Sequence, residues 1–487
     1  MNNHRSAQLT TCHWNQMRYS LFNWPLLLIC ILTLYPVSVW SAEGPNLRTM
    51  QVAPLVFTIP KAERIVLRNG ITVYLLQDHE LPLVTVTAMI RGGSLNDPQG
   101  KTGLASLFGS QLRLGGAGDL NSDLVDAELE AMASTITSSF GTSSGSISLS
   151  CLSWNLGQTL GIFRDILLRP RFDQNRFKQA RQRAIAAQKT ERSDLKKRAD
   201  KDLYRSLYKN HPLSEEPTTA SLSAITRGDL LALHQSIMRP RNIIITASGD
   251  FNRAELLAIL EQIQIEAPPE VHPPSVNLLV PAVGKTRIIH HLQRASGLSV
   301  IRMGQLSVTK DDPDLHALKV LNTILGNGLS SRLAIEIRTN HGLVYNIGSS
   351  MKEGQRYQGS FTVATETRTE TTSRVISLIL AILEKIRTEP VSVTELETAK
   401  QTLINSFMFG FQSPDSAVTS RAQMEFYHYP VNYLEDYRKK INAITSADIL
   451  RVAKKHLHPE AMHMVVIGDA SRFDQPLSRF GKVIALK

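Results

Sequence analysis

The chain has 487 residues, 42% of them hydrophobic, a globular composition long enough for two or three domains. Its formal net charge is +11. The Lys and Arg residues are dispersed and often lie beside acids, as in KTERSDLKKRADKD, and no recognition motif accompanies them, which argues against nucleic-acid binding and for a solvated helix face.

At the N-terminus, Arg5 and Arg18 precede an apolar run from Leu26 to Tyr35, and Val39-Trp40-Ser41-Ala42 supplies small residues for cleavage. This is the layout of a signal peptide over residues 1–42. The apolar run is short and flanked by Pro25 and Pro36, which fits a membrane span poorly. A periplasmic or secreted mature chain is expected, membrane-anchored only if the segment is retained. Cys12 and Cys30 fall within the segment, leaving Cys151 with no internal disulfide partner. Its alternating context, SGSISLSCLS, makes it a small buried hydrophobe.

Next, RIVLRNGITVYLLQD (64–78) predicts a hairpin turning at Asn69-Gly70, and LVTVTAMIRGG (83–93) a further strand. A helix is predicted from Gly103, and two strands over 134–153. An amphipathic helix follows over 155–170, then one long polar helix from Phe172 to about Asn210.

An internal repeat organises the rest. AITRGDLLALHQSIMRPRNIIITASGD (224–250) aligns without a gap on AITSADILRVAKKHLHPEAMHMVVIGD (443–469), with eight of 27 positions identical. Each copy carries an N-cap Thr, an Asp in the first helical turn, a Pro, a β-rich run and a Gly-Asp turn. A period of this length means duplicated domains. Five prolines within 265–284 mark a stiff connector. The expected organisation is therefore a domain over 46–266, a linker over 267–282 and a second domain over 283–480. The alternation of elements predicts an α+β fold in which each domain is a largely antiparallel sheet with helices packed on one side.

Several landmarks together resemble the insulinase/pitrilysin family of zinc metallopeptidases. They are the Asn69-Gly70 hairpin, Arg-Gly-Gly-Ser at 91–94, Gly-Leu-Ala at 103–105, His211-Pro212, the 226–250 unit and LGNGLSSRLAIEIRTNHGLVYNIGSS at 325–350. The resemblance spans nearly all of the mature chain and implies two metallopeptidase-like clam-shell domains. Active members carry His-x-x-Glu-His after Gly-Leu-Ala. Two His four residues apart share a helix face and grip one Zn²⁺, with the Glu placed as general base. Zinc lowers the pKa of its water from about 15.7 towards about 7.

In TGLASLFGSQLRLGG (102–116), the matching positions are Ser106, Gly109 and Ser110. Counting forward by the family's spacing reaches Ala187 for the third ligand and Ala180 for its companion acid. All are small; a serine hydroxyl is not a usual zinc ligand and glycine has no carboxylate to accept a proton, so no metal is expected in this chain. Gly109 costs a helix interior about 1 kcal/mol relative to Ala, a penalty tolerable once no ligand geometry is required. Among the fourteen histidines, His290-His291, His456-x-His458 and His428 lack a Glu at ligand spacing, and His211 and His234 fit packing or capping.

What remains is Arg338 and Tyr345 in IEIRTNHGLVYNIGSS. Gly342 can end the Arg338 helix in a left-handed cap, after which Tyr345 opens a strand. In the family, an Arg and a Tyr from the second domain bind the substrate carbonyl and stabilise the oxyanion; both are suitable donors. The resemblance thus implies a zinc-less subunit that completes the site of a zinc-bearing homologous partner, with no zinc of its own. It also implies a peptide substrate added to the edge of TITSSFGT, with Thr135, Thr137, Ser139 and Gly141 as binding residues. The alternative is a pseudoenzyme that serves as a scaffold or peptide-binding module without a catalytic role. No Gly-x-Ser-x-Gly elbow suggests another hydrolase chemistry.

Overall fold

A computed structural model describes residues 58–265 apart from 192 and 210, then 284 and 286–486. The expected signal segment and the linker over 267–282 lie outside the described residues.

The apolar alternations build two six-stranded mixed sheets. The first contains β1 (Glu63–Val66), β2 (Thr72–Gln77), β3 (Leu83–Arg91), β4 (Thr135–Phe140), β5 (Ser144–Leu152) and β6 (Ile243–Gly249), in the order β1-β2-β6-β3-β5-β4. The second contains β7 (Ile288–Gln293), β8 (Leu298–Leu306), β9 (Val344–Lys352), β10 (Ser360–Arg368), β11 (His463–Gly468) and β12 (Lys482–Ala485), in the order β12-β7-β11-β8-β10-β9. The two orders match position for position except at one edge. There β1 runs antiparallel to β2, whereas β12 runs parallel to β7.

The repeat occupies equivalent places. Helix α7 (Arg227–Ile237) and helix α14 (Ser446–His456) each open on a capping box, Thr226 with Asp229 and Thr445 with Asp448. Each leads into a fully embedded strand, β6 or β11, parallel to one neighbour and antiparallel to the other.

In chain order the other helices are α1 (Leu104–Leu114), α2 (Ser122–Ala131), α3 (Leu156–Leu168), α4 (Gln174–Glu191), α5 (Leu195–Tyr208), α6 (Thr219–Ala224) and α8 (Arg253–Glu261) in the first half. The second half has α9 (Leu315–Gly326), α10 (Thr372–Thr388), α11 (Val393–Phe409), α12 (Pro414–Phe426) and α13 (Tyr433–Ala443). One face of each sheet is covered by helices of its own half, giving the two main cores.

Two expectations need correction. The long polar helix is broken: Asp194 accepts from Lys196 N at 3.0 Å and Lys197 N at 3.2 Å, capping a new helix, α5. Helices are also not confined to one side of each sheet. Freed by the break, α5 packs Ala199, Leu203, Leu207 and Tyr208 on the second sheet, against Leu292, Val300, Leu306, Val465 and Ile467. Reciprocally, α12 packs Val418, Ala422 and Phe426 on the first sheet, against Tyr74, Met89 and Ile244.

Polar clamps fix both exchanged helices. Glu425 receives Arg64 through two bonds of 2.6 and 2.8 Å and the Tyr74 hydroxyl at 2.6 Å. Buried Arg302 of β8 donates to Asp200 at 2.6 Å and Glu366 at 3.1 Å.

The paired capping boxes give the first test. Thr226→Ala and Thr445→Ala should each lower the free energy of unfolding by about 1 kcal/mol in chemical denaturation, because each leaves a helix N-terminal N–H without its acceptor.

Candidate functional site

Helix α1 begins under a cap that sequence reading missed. Asp97 accepts from Gly103 N at 2.7 Å and Ala105 N at 2.9 Å, although burial pushes its carboxyl up to about 6. The available signal was an Asp-Pro turn ahead of Gly103. On the helix itself, Ser106 is exposed, Gly109 is buried, and the half-buried Ser110 hydroxyl donates to Leu107 O at 2.9 Å. Ala187 lies exposed on α4. Two hydroxyls, a hydrogen and a methyl are no donor set for zinc, so the residues present do not fit that metal.

Gly109 has a second reason to be glycine. A Cβ there would stand 2.9 Å from the Ser139 carbonyl carbon and closer still to Phe140 N. Helix α1 leans directly on β4. The Ser138 hydroxyl donates to Gly109 O at 2.5 Å and accepts from Arg113 N at 3.2 Å.

Strand β4 is the terminal strand of its sheet, as the substrate-edge expectation requires, and Thr135, Thr137 and Ser139 present exposed side chains. Their main-chain groups are spent, however. Gly141 N donates to Ser144 O at 2.8 Å, so these two form a hydrogen-bonded pair. Alternation along the antiparallel ladder then turns the main chains of Thr135, Thr137 and Ser139 towards β5. Gly141 lies beyond the strand, and its carbonyl accepts from Ser94 N at 3.0 Å. The outward main-chain groups belong to Ile136, Ser138 and Phe140, while Thr135, Thr137 and Ser139 offer side chains.

Arg338 and Tyr345 do come together. The Arg338 guanidinium carbon sits 5.7 Å from the centre of the Tyr345 ring, and Tyr345 is 89% exposed. Two local irregularities produce this. Arg338 rides on a π-helix, Ala334–Asn340, a widened turn common at functional sites. The helix closes through His341 N to Glu336 O at 3.2 Å and Leu343 N to Ile337 O at 3.0 Å, with Gly342 at φ +61°. The left-handed cap is therefore as expected.

On β9 the register with β10 slips. Ile347 faces Thr365 and Val344 faces Thr367, so Tyr345 and Asn346 bulge opposite Glu366. Thr365 Oγ1 holds Asn346 O at 2.7 Å, and Thr367 Oγ1 holds Leu343 O at 2.8 Å. A bulge re-aims side chains, and here two consecutive residues face solvent. The acid nearest in sequence, Glu336, is engaged by Asn340 at 2.9 Å and His341 at 3.2 Å.

Several histidines have structural partners. His234 bonds Leu167 O at 2.9 Å, Nδ1 of His211 accepts from Leu213 N at 3.1 Å, and His291 bonds Gly468 O at 3.1 Å. His428 holds a left-handed φ of 56° just past α12. Asp312, Asp314 and His456 place ligand atoms within 4.8 Å of one another. Asp314, however, receives Arg451, Lys455 and His456, each at 2.8 Å. Burial alone would raise its carboxyl, but these bonds hold it well below the usual range. This is an ion-pair cluster whose two cationic side chains already satisfy the carboxylate.

Fold and site together define a peptidase-like chain with Ser106, Gly109, Ser110 and Ala187 at the positions matching the family's zinc site. Residues 72–219 match the family model described as insulinase (peptidase family M16), and residues 224–403 match that of the peptidase M16 inactive domain. The chain belongs to the insulinase (peptidase M16) family, as an inactive-type member. It is similar to the non-peptidase homolog YmxG of Helicobacter pylori, 21% identical over 401 residues that cover 81% of this chain and 91% of that protein. A mitochondrial-processing peptidase subunit alpha-2 of Dictyostelium discoideum is 30% identical over 167 residues, covering 32% and 36% of the two chains. Among solved structures, a peptidase M16 inactive domain from Pseudomonas fluorescens has a TM-score of 0.76 at 24% identity, covering 86% of this chain and 100% of that one.

Two tests follow from the geometry. Helix propensity alone would make Gly109→Ala stabilising by about 1 kcal/mol. The clash with β4 main chain should instead make it destabilising by about 1–3 kcal/mol in denaturant titration. Separately, Arg332 binds Glu395 through bonds of 2.7 and 3.0 Å, tying the segment ahead of Arg338 to α11 and holding the Glu395 carboxyl down at about 2. A depressed carboxyl stabilises the fold above its ordinary pKa, and the gain is lost as pH falls through the folded value. Glu395 is 36% exposed, so solvent screening trims the effect. Glu395→Gln should cost about 1 kcal/mol at pH 7, and native and variant stabilities should converge between pH of about 4 and about 2.

Proposed function

We propose that this chain is the zinc-less subunit of an insulinase-type peptidase pair and supplies Arg338 and Tyr345 to the site of a zinc-bearing homologous partner. The observation that carries this reading is the pair itself, a guanidinium over a phenol presented to solvent from a π-helix and a bulge. Nothing inside the chain uses the Tyr345 hydroxyl among the described residues, which suits a group whose acceptor arrives from outside. Both side chains donate hydrogen bonds, and in a water-excluded interface such donors stabilise the oxyanion of a tetrahedral intermediate. The partner's zinc would polarise the scissile carbonyl and generate the attacking water; this chain's part is to hold the carbonyl oxygen. One relative's name, a subunit of a processing peptidase, supports the paired arrangement. The signal layout at 1–42 supports pairing in the periplasm or outside the cell. Among the described residues, no helix is long and apolar enough to cross a membrane.

A second reading, a scaffold without catalytic role, is favoured by the closeness of α1 to β4 and by the name of the non-peptidase homolog. Turnover separates the two. Alone, the chain should hydrolyse no peptide; mixed with a zinc-bearing homologue, it should raise peptide hydrolysis. Arg338→Ala or Tyr345→Phe should each lower kcat of the mixture by about 10²-fold, as loss of an oxyanion donor does. Rates unchanged in both variants would leave the scaffold reading.

A further inference from the structure

We infer that the outer edge of β4 is capped by the chain's own helix α1, so that this strand does not receive an extended peptide. The outward main-chain positions of β4 are Ile136, Ser138 and Phe140, and α1 reaches the Ile136 carbonyl, the Ser138 side chain and the Phe140 amide. Ile136 O accepts from Arg113 Nε at 3.1 Å. The Ser138 hydroxyl bridges Gly109 O and Arg113 N within one helical turn. Phe140 N faces Gly109 so closely that no side chain fits between them.

Arg113 is anchored from behind as well. Its Nη2 pairs with Asp126 of α2 at 2.6 Å, and its side chain is only 15% exposed. Helix and strand are thus joined by one charged clamp, one hydroxyl bridge and one glycine contact. A strand edge accepts a peptide through unpaired N–H and C=O groups; here the helix takes the Ile136 carbonyl and crowds the Phe140 N–H.

The second half shows the same device. Gly326 of α9 abuts Ser349 N on the outer edge of β9, and the Ser349 hydroxyl donates to Asn322 Oδ1 at 2.8 Å. A helix leaning on the terminal strand through a glycine and a serine is a built feature of this chain. Taken with the paired reading proposed above, on which this step rests, the cap assigns the peptide main chain to the partner's edge strand. This chain then contributes Arg338 and Tyr345 alone.

The same closure bears on the family's metal chemistry. At 109, where the family carries its general-base glutamate, β4 leaves no room for a side chain.

The test is amide hydrogen exchange of residues 135–141 in the full chain, with and without a short uncharged Thr/Val peptide. In the native chain the peptide should leave exchange unchanged. In Arg113→Ala/Ser138→Ala, which removes clamp and bridge, it should slow exchange there by about tenfold or more. If the double variant does not fold, Arg113→Met keeps the stem packing while freeing the Ile136 carbonyl, and the same slowing is expected. Peptide-dependent protection in the native chain would overturn the cap. So would a folded, opened variant that ignores the peptide. The turnover of Arg338→Ala and Tyr345→Phe in the mixture is read separately, so either idea can fail while the other stands.

Discussion

A six-stranded sheet with apolar residues on both faces cannot leave either face in water, and this constraint shapes the whole molecule. Strands β6 and β11 are buried along nearly their full length, and each half supplies enough helices for only one face of its own sheet. The second layer is exchanged, α5 going to the second sheet and α12 to the first. Each large side chain so covered is worth about 1.5–3 kcal/mol relative to exposure. Neither half can complete its burial alone, so the described residues behave as one compact unit despite a duplicated plan. The clamps at Glu425 and Arg302 add direction to that burial, since a paired carboxylate in a partly buried seam tolerates few geometries.

The candidate site draws on this rigidity in two opposite ways. In the second half, well-packed neighbours hold two irregular pieces of backbone, the π-helix and the bulge, and between them they lift Arg338 and Tyr345 clear of the core. Irregular backbone persists only where surrounding structure over-determines it, here through Thr365, Thr367 and the Arg332–Glu395 pair. In the first half the reverse has happened. Ser106, Gly109 and Ser110 offer no zinc donor set, and α1 lies so close to β4 that glycine at 109 is a packing requirement. Loss of chemistry and gain of contact occupy the same residue.

Much of this could be read from the chain before any coordinates. The Asn69-Gly70 turn, the alternating strands and the Thr-x-x-Asp boxes of the repeat are local signals, carried by neighbours in sequence. The absence of zinc ligands at Ser106, Ser110 and Ala187 was legible for the same reason, since side-chain chemistry needs no fold to be assessed. The left-handed cap at Gly342 also followed from spacing alone. The break before α5 was missed although Ser193-Asp194 is a capping signal, because an unbroken polar run hid it.

Sequence by itself therefore determined the class of fold, the duplication, and which side chains stand at the family's zinc positions. Only tertiary structure decided which faces the exchanged helices cover, that Tyr345 and Asn346 share a bulge, and that β4 turns Ile136 and Phe140, rather than Thr135 and Gly141, towards α1. The physical reason is one of range. Capping, turns and ligand identity are settled within a few residues, whereas register and layer packing depend on contacts between segments hundreds of residues apart, which no local pattern encodes.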